Sequence, residues 1–185
     1  TSNSNKTRLL ITMGDPSGVG PEVIVKALSD NQIRRLAHIS VIGDYFIIDK
    51  VKKYLKLKPD FSITDLSNVP QNNFSYGKES PLFGKASMEY VDKALDLIKN
   101  GDADCLVTAP VNKSSVRQSR QWKTFEGHTE YIAQKTQSKD FSMMFVGKSL
   151  KVALVTRHLA LKDVAGFVTL EKVYKTILFT ADCLK

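Results

Sequence analysis

An apolar run from Arg8 to Met13 breaks into Gly14-Asp15-Pro16-Ser17-Gly18-Val19-Gly20-Pro21, and helix-forming residues follow from about Glu22 to Leu28. Strand, glycine-rich loop and helix in that order form an α/β opening, and no other feature constrains the fold as much. A helix after a strand carries the chain back along the sheet, so the next strand pairs parallel to the first. His38 to Ile42 reads as that next strand and Tyr45 to Leu55 as its helix, which repeats the unit. The expected fold class is therefore α/β, a parallel-rich sheet with flanking helices.

From Pro59 to Pro81 the chain is polar and irregular, with at most short strands around Phe61 to Ile63. Lys85 to Lys99 places Met88, Val91, Ala94, Leu95 and Ile98 at helical spacing, Gly101 stops that helix, and Cys105 to Thr108 is an apolar run of strand length. Beyond Ala109-Pro110 come a short helix from Asn112 to Arg117 and another from about Thr129 to Thr136. Phe141 to Val146 and Leu150 to Thr156 are strands joined by Gly147-Lys148-Ser149, a linker of hairpin length. Thr169 to Leu184 closes the chain with Leu170, Val173, Ile177, Leu178 and Ala181 as an apolar helical stripe. Proline and polar residues cluster from Pro110 to Gly127, which sets the expected division: a first α/β domain over 1–115 and the start of a second, incomplete one over 116–185.

The 185 residues are 42% hydrophobic and 25% charged, enough apolar material for a substantial core. No apolar run reaches the roughly 18 residues of a membrane span, and Thr1 to Lys6 is polar, so the expectation is a cytoplasmic protein without a membrane partner. Cys105 and Cys183 are too few for a disulfide framework and lack C-x-x-C spacing; both are expected as reduced, buried thiols. The net charge of +8 suits nucleic acid, an acidic membrane or small phosphorylated ligands, and charge alone does not choose among them. Its densest cluster, Lys50, Lys52, Lys53, Lys56 and Lys58, alternates with Val51, Tyr54, Leu55 and Leu57 as the solvated face of an amphipathic helix would. With no nucleic-acid-binding motif beside it, no nucleic-acid partner is expected.

Four loops could carry chemistry. The Gly14 to Pro21 loop leaves backbone N–H groups near a helix start, which suits an anion, yet it matches neither G-x-G-x-x-G nor G-K-[ST] and also reads as a tight turn. Glu126-Gly127-His128-Thr129-Glu130 precedes a helix, where an imidazole, a hydroxyl and backbone donors can meet a phosphate or carboxylate; the plainer alternative is that Thr129 caps the helix. Thr156-Arg157-His158 follows a strand, so His158 could ligate a divalent metal beside Arg157 for an anion. A zinc site needs at least three protein ligands, and the other histidines are His38, at a strand start, and His128. Lys113, after Asn112, could meet a phosphate, although a solvated surface lysine is the commoner case.

Taken in order, Ile11 to Glu22, Val107 to Lys113, Phe125 to Glu130 and Val152 to Val164 resemble the 4-hydroxythreonine-4-phosphate dehydrogenase family. The resemblance covers nearly the whole chain but only the N-terminal portion of the family. The opening loop is similar to the Gly-Asp-Gly-Ile-Gly-Pro-Glu start of the isocitrate and isopropylmalate dehydrogenases, which implies their fold. It further implies a homodimer that oxidises a phosphorylated hydroxy acid with NAD and a divalent metal (zinc, magnesium or cobalt), with loss of carbon dioxide. His158 matches the first of the family's three metal histidines, and His128 with Thr129 matches its substrate-contacting pair. The other two metal histidines and much of the cofactor site fall beyond position 185, so neither catalytic nor NAD-contacting residues are assigned, and this chain alone is expected to be inactive. The same motifs fit a paralogue acting on a threonate or erythronate phosphate, and a non-catalytic α/β module binding a phosphorylated ligand stands as the alternative of a different class.

Overall fold

The computed structural model describes residues 6–138 and 140–184. Its elements run β1 (Arg8–Thr12), α1 (Gly20–Ser29), α2 (Asn31–Leu36), β2 (His38–Gly43), α3 (Tyr45–Leu55), β3 (Ser62–Asp65), α4 (Pro81–Lys99), β4 (Cys105–Thr108), α5 (Lys113–Gln118), α6 (His128–Lys135), β5 (Met143–Val146), β6 (Lys151–Leu154), α7 (Val164–Phe167) and α8 (Leu170–Cys183).

Four strands form one all-parallel sheet in the order β3-β2-β1-β4, with Leu10 opposite Ser40 on one side and Leu106 on the other. The polar stretch after Pro59 thus supplies an edge strand, Ser62–Asp65, paired in parallel with β2. Leu10 of β1, with Val41 and Ile42 of β2, meets Ile24, Val25 and Leu28 of α1, Ile47, Ile48 and Val51 of α3, and Phe83, Ala86, Tyr90 and Ala94 of α4 in one core. These are the apolar positions that the 3.6-residue period places on single helix faces. Helices α1 and α3, which follow β1 and β2, pack together; the chain then reverses direction past β1, and α4 packs on β1 and β2.

Before β4, two elements depart from the sequence expectation. Helix α4 starts at Pro81, because Ser80 Oγ accepts the N–H of Leu82 at 3.2 Å and proline is favoured at the first helical position. Helix α2 buries no residue and so leaves no apolar period; the Asp30 carboxylate starts it by accepting the N–H of Gln32 at 2.7 Å.

Contacts divide the chain into Thr1–Tyr131 and Ile132–Lys185. The first unit thus runs past the expected boundary at residue 115, because Trp122, Phe125 and Tyr131 are all buried in it. The Trp122 indole N–H donates to the Tyr131 hydroxyl at 3.1 Å, and that hydroxyl donates to Asp92 on α4. The second unit holds the antiparallel hairpin β5–β6, with Met143 opposite Leu154, and α8. Leu170, Tyr174 and Ile177 of α8 are 91%, 59% and 59% exposed, so its apolar stripe faces outward. The expectation of two buried thiols is corrected: Cys105 is half-buried and Cys183 is exposed, since α8 buries no residue. His38 is exposed at the start of β2.

Candidate active site

Strand order fixes where a ligand can sit. The chain passes from β1 to β2 on one side and later places β4 on the other side of β1, so the crevice outside the carboxyl ends of β1 and β4 is the switch point at which open α/β sheets bind ligands. Both motif-bearing loops lie there. Asp15 N–H donates to the Pro110 carbonyl at 2.9 Å, joining the loop after β1 to the loop after β4. Gly14 has φ +72°, and a Cβ on it would stand 2.3 Å from the Pro110 carbonyl oxygen, so only glycine permits this approach.

A third segment closes the crevice. Ser17 Oγ donates to the Ser75 carbonyl at 2.8 Å and accepts the N–H of Lys78 at 2.9 Å. Glu79 accepts from Asn112 Nδ2 at 3.2 Å and from Ser114 Oγ at 2.7 Å, while Asn112 Oδ1 caps α5 by accepting the N–H of Ser115 at 3.0 Å. Those two donors hold the Glu79 carboxyl below the ordinary glutamate range. Burial does the opposite to Asp15: it raises the carboxyl against the lowering effect of the Ser17 N–H, and Glu79 nearby adds to the rise.

His128 opens α6, and Thr129 follows one residue inside the helix rather than at its cap. The His128 ring lies edge-on to Phe125, with centroids 6.1 Å apart. Its Nε2 is buried and has no hydrogen-bond partner among the described residues. Burial chiefly, and the Lys113 ammonium secondarily, push the imidazole pKa below its usual value, so the ring stays neutral and can offer one N–H.

Asp15, Lys113, His128 and Thr129 thus share the first unit, whereas His158 belongs to the second. His158 is exposed in the loop after β6, with a left-handed φ of 56°. Its neighbour Arg157 stacks on the Phe141 ring at 4.1 Å. Among the described residues no three of His, Cys, Asp or Glu are grouped to hold a metal ion, so one imidazole alone does not make a metal centre here. Sequence patterns gave no sign of Glu79, which sits in the aperiodic stretch before α4; the Ser80-Pro81 helix start beside it was the available signal.

Comparison with known proteins agrees with this geometry. The family model described as pyridoxal phosphate biosynthetic protein PdxA matches residues 12–185. A 4-hydroxythreonine-4-phosphate dehydrogenase of Trichlorobacter lovleyi is 36% identical over 97% of this chain and 58% of its own length. A protein of Oceanobacillus iheyensis, provisionally named a D-threonate 4-phosphate dehydrogenase, is 33% identical over 98% of this chain and 59% of its own. The crystal structure of a 4-hydroxythreonine-4-phosphate dehydrogenase from Burkholderia phymatum superposes with a TM-score of 0.84 at 28% identity, over 94% of this chain and 57% of that one. A Klebsiella pneumoniae structure, at 22% identity and a TM-score of 0.87, supports the fold alone. The chain spans about 58% of the length of the curated relatives it matches. The isocitrate/isopropylmalate dehydrogenase-like α/β fold expected from the opening loop is borne out by these neighbours, and with a family match over nearly all its residues the chain belongs to the PdxA family.

Proposed function

We propose that this chain is part of an NAD-dependent and divalent-metal-dependent dehydrogenase that oxidises 4-phosphohydroxy-L-threonine, with decarboxylation following, in pyridoxal 5′-phosphate biosynthesis. The observation that carries this reading is the meeting of the Gly14–Pro21 and Ala109–Lys113 loops at the switch point of a parallel sheet, in a chain whose relatives are named dehydrogenases. His128 and Thr129 contact the phosphorylated hydroxy acid. His158 supplies one metal ligand; among the described residues no group of three His, Cys, Asp or Glu side chains is placed to hold the ion. The enzyme to which the chain belongs works as a cytoplasmic homodimer with a second α/β domain. Among the described residues no helix is long and apolar enough to cross a membrane.

Relatives 32% and 33% identical, provisionally named D-threonate 4-phosphate dehydrogenases, favour a second substrate, a four-carbon sugar-acid phosphate, on the same residues. The test is NADH formation by a full-length protein carrying this sequence, given divalent metal and either 4-phosphohydroxythreonine or threonate 4-phosphate. One substrate should be strongly preferred. Absence of NADH with both would overturn the proposal.

A further inference from the structure

Three segments at the crevice are each joined to the other two. The loop after β1 meets the loop after β4 through the Asp15 N–H and the Pro110 carbonyl. It meets residues 75–78 through Ser17, whose carbonyl accepts the Gly77 N–H at 2.9 Å and whose Oγ donates to the Ser75 carbonyl and accepts the Lys78 N–H. Glu79, next in the chain, closes the ring by accepting from Asn112 Nδ2 and Ser114 Oγ at the start of α5. From α5 the restraint passes on, because Arg117 Nε donates to the Phe125 carbonyl at 2.8 Å, three residues before His128. Ser17, residues 75–79, Asn112 and Ser114 all lie outside the hydrophobic core. Helices α4 and α5 also meet independently of Glu79: Ser115 Oγ accepts the Ser80 N–H at 3.1 Å, and a Cβ on Gly84 would stand 2.1 Å from the Ser115 carbonyl oxygen. The ring therefore adds little to the fold and sets how the crevice loops lie.

We propose that residues 75–79 form a strap whose two pins, Ser17 and Glu79, are positioning residues: through α5 they hold the segment leading to His128 and Thr129 in its substrate-competent arrangement. This deepens the dehydrogenase reading and rests on it. A closed ring allows its members one arrangement, whereas an open ring allows several, of which only a fraction binds. Apparent affinity falls by that fraction, and saturating substrate draws the population back. Loss of a pin therefore raises KM and spares kcat. Ser17, 4% exposed, carries the larger effect, since its hydroxyl makes two of the strap's hydrogen bonds to the glycine loop. Glu79 is exposed, so water competes for its bonds and its effect is smaller.

The test uses the full-length protein carrying this sequence, with the better of 4-phosphohydroxythreonine and threonate 4-phosphate as substrate. Ser17→Ala should raise KM for that acid about tenfold and Glu79→Ala about threefold, each with kcat within about twofold of wild type. Glu79→Gln keeps an acceptor for Asn112 and gains a donor for the Ser114 hydroxyl, so it should restore the wild-type KM. The double Ala variant should exceed Ser17→Ala by less than about twofold, because a strap released at one end no longer transmits restraint. Hydrogen exchange read by mass spectrometry needs no turnover: residues 109–115 should exchange faster in both Ala variants, although no hydrogen bond of Ser17 reaches them. An unchanged KM in Ser17→Ala, a loss of kcat instead, additive KM effects, Glu79→Gln as impaired as Glu79→Ala, or unchanged exchange over 109–115 would each overturn the inference. If the wild type makes no NADH from either acid, the dehydrogenase reading fails; faster exchange in the variants then leaves the strap standing, and unchanged exchange removes it as well.

Discussion

Tyr90→Phe is the sharpest test of how the carboxyl end of the sheet is held. Asp44 sits between β2 and α3 at 0% exposure, and its carboxylate accepts the N–H of Asn68 at 2.7 Å, the N–H of Val69 at 2.9 Å and the hydroxyl of Tyr90 at 3.0 Å. Phenylalanine fills the same volume, so the substitution opens no cavity and removes one hydrogen bond from a buried, charged acceptor. Such a bond is worth about 1.5–3 kcal/mol, so the loss should be about 2 kcal/mol at neutral pH. Burial raises the Asp44 pKa, and the Tyr90 hydroxyl lowers it. Removing the hydroxyl therefore raises the folded-state pKa further. The difference between the two proteins is fully present above that folded value and shrinks as pH falls through it and the carboxyl protonates. Trp122, the one tryptophan of the chain, is buried in the first unit, so urea denaturation followed by its emission reports on that unit. The midpoint should fall at unchanged slope, less so in acid. A loss below about 0.5 kcal/mol at neutral pH, or one independent of pH, refutes the account of Asp44 as an ionised node.

Gly14→Ala places a methyl against the Pro110 carbonyl at a φ of +72°, and should cost more than about 2 kcal/mol by the same Trp122 measurement; a change near zero would show that the two loops do not meet. The outward stripe of Leu170, Tyr174 and Ile177 should make the 185-residue chain associate as its concentration rises in size exclusion, and Leu170→Glu with Ile177→Glu should restore a smaller species. A clean monomer at every concentration contradicts this. In the full-length protein, His158→Ala should abolish metal-dependent turnover while circular dichroism stays unchanged, and near-normal activity removes His158 from the metal site.

Local signals in this sequence carry the fold and only part of the site, for a physical reason visible in particular residues. Helix α3 and strand β4 lie where apolar period and run length put them, Tyr45–Leu55 and Cys105–Thr108, because both bury one face against the same core. Helix α2 buries nothing, so no period marks it, and Asp30 alone starts it. The same division holds at the crevice. Glycine spacing marks Gly14, since the backbone conformation it needs excludes other residues. Lys113 and Glu79 acquire meaning only from the strand order, which brings a segment before α4, the start of α5 and the segment leading into α6 into one unit. In one dimension Lys113 is a lysine at a helix start, where a solvated side chain is the better guess. Its neighbour on the same helix, Arg117, holds the segment that leads into His128 through the Phe125 carbonyl, a contact between residues eight apart along the sequence. The Asp44 node has the same character: its partners lie 24, 25 and 46 residues away, so no local pattern marks it. Buried polar groups must find partners wherever the fold offers them, and that distance along the chain is what hides them from a local reading.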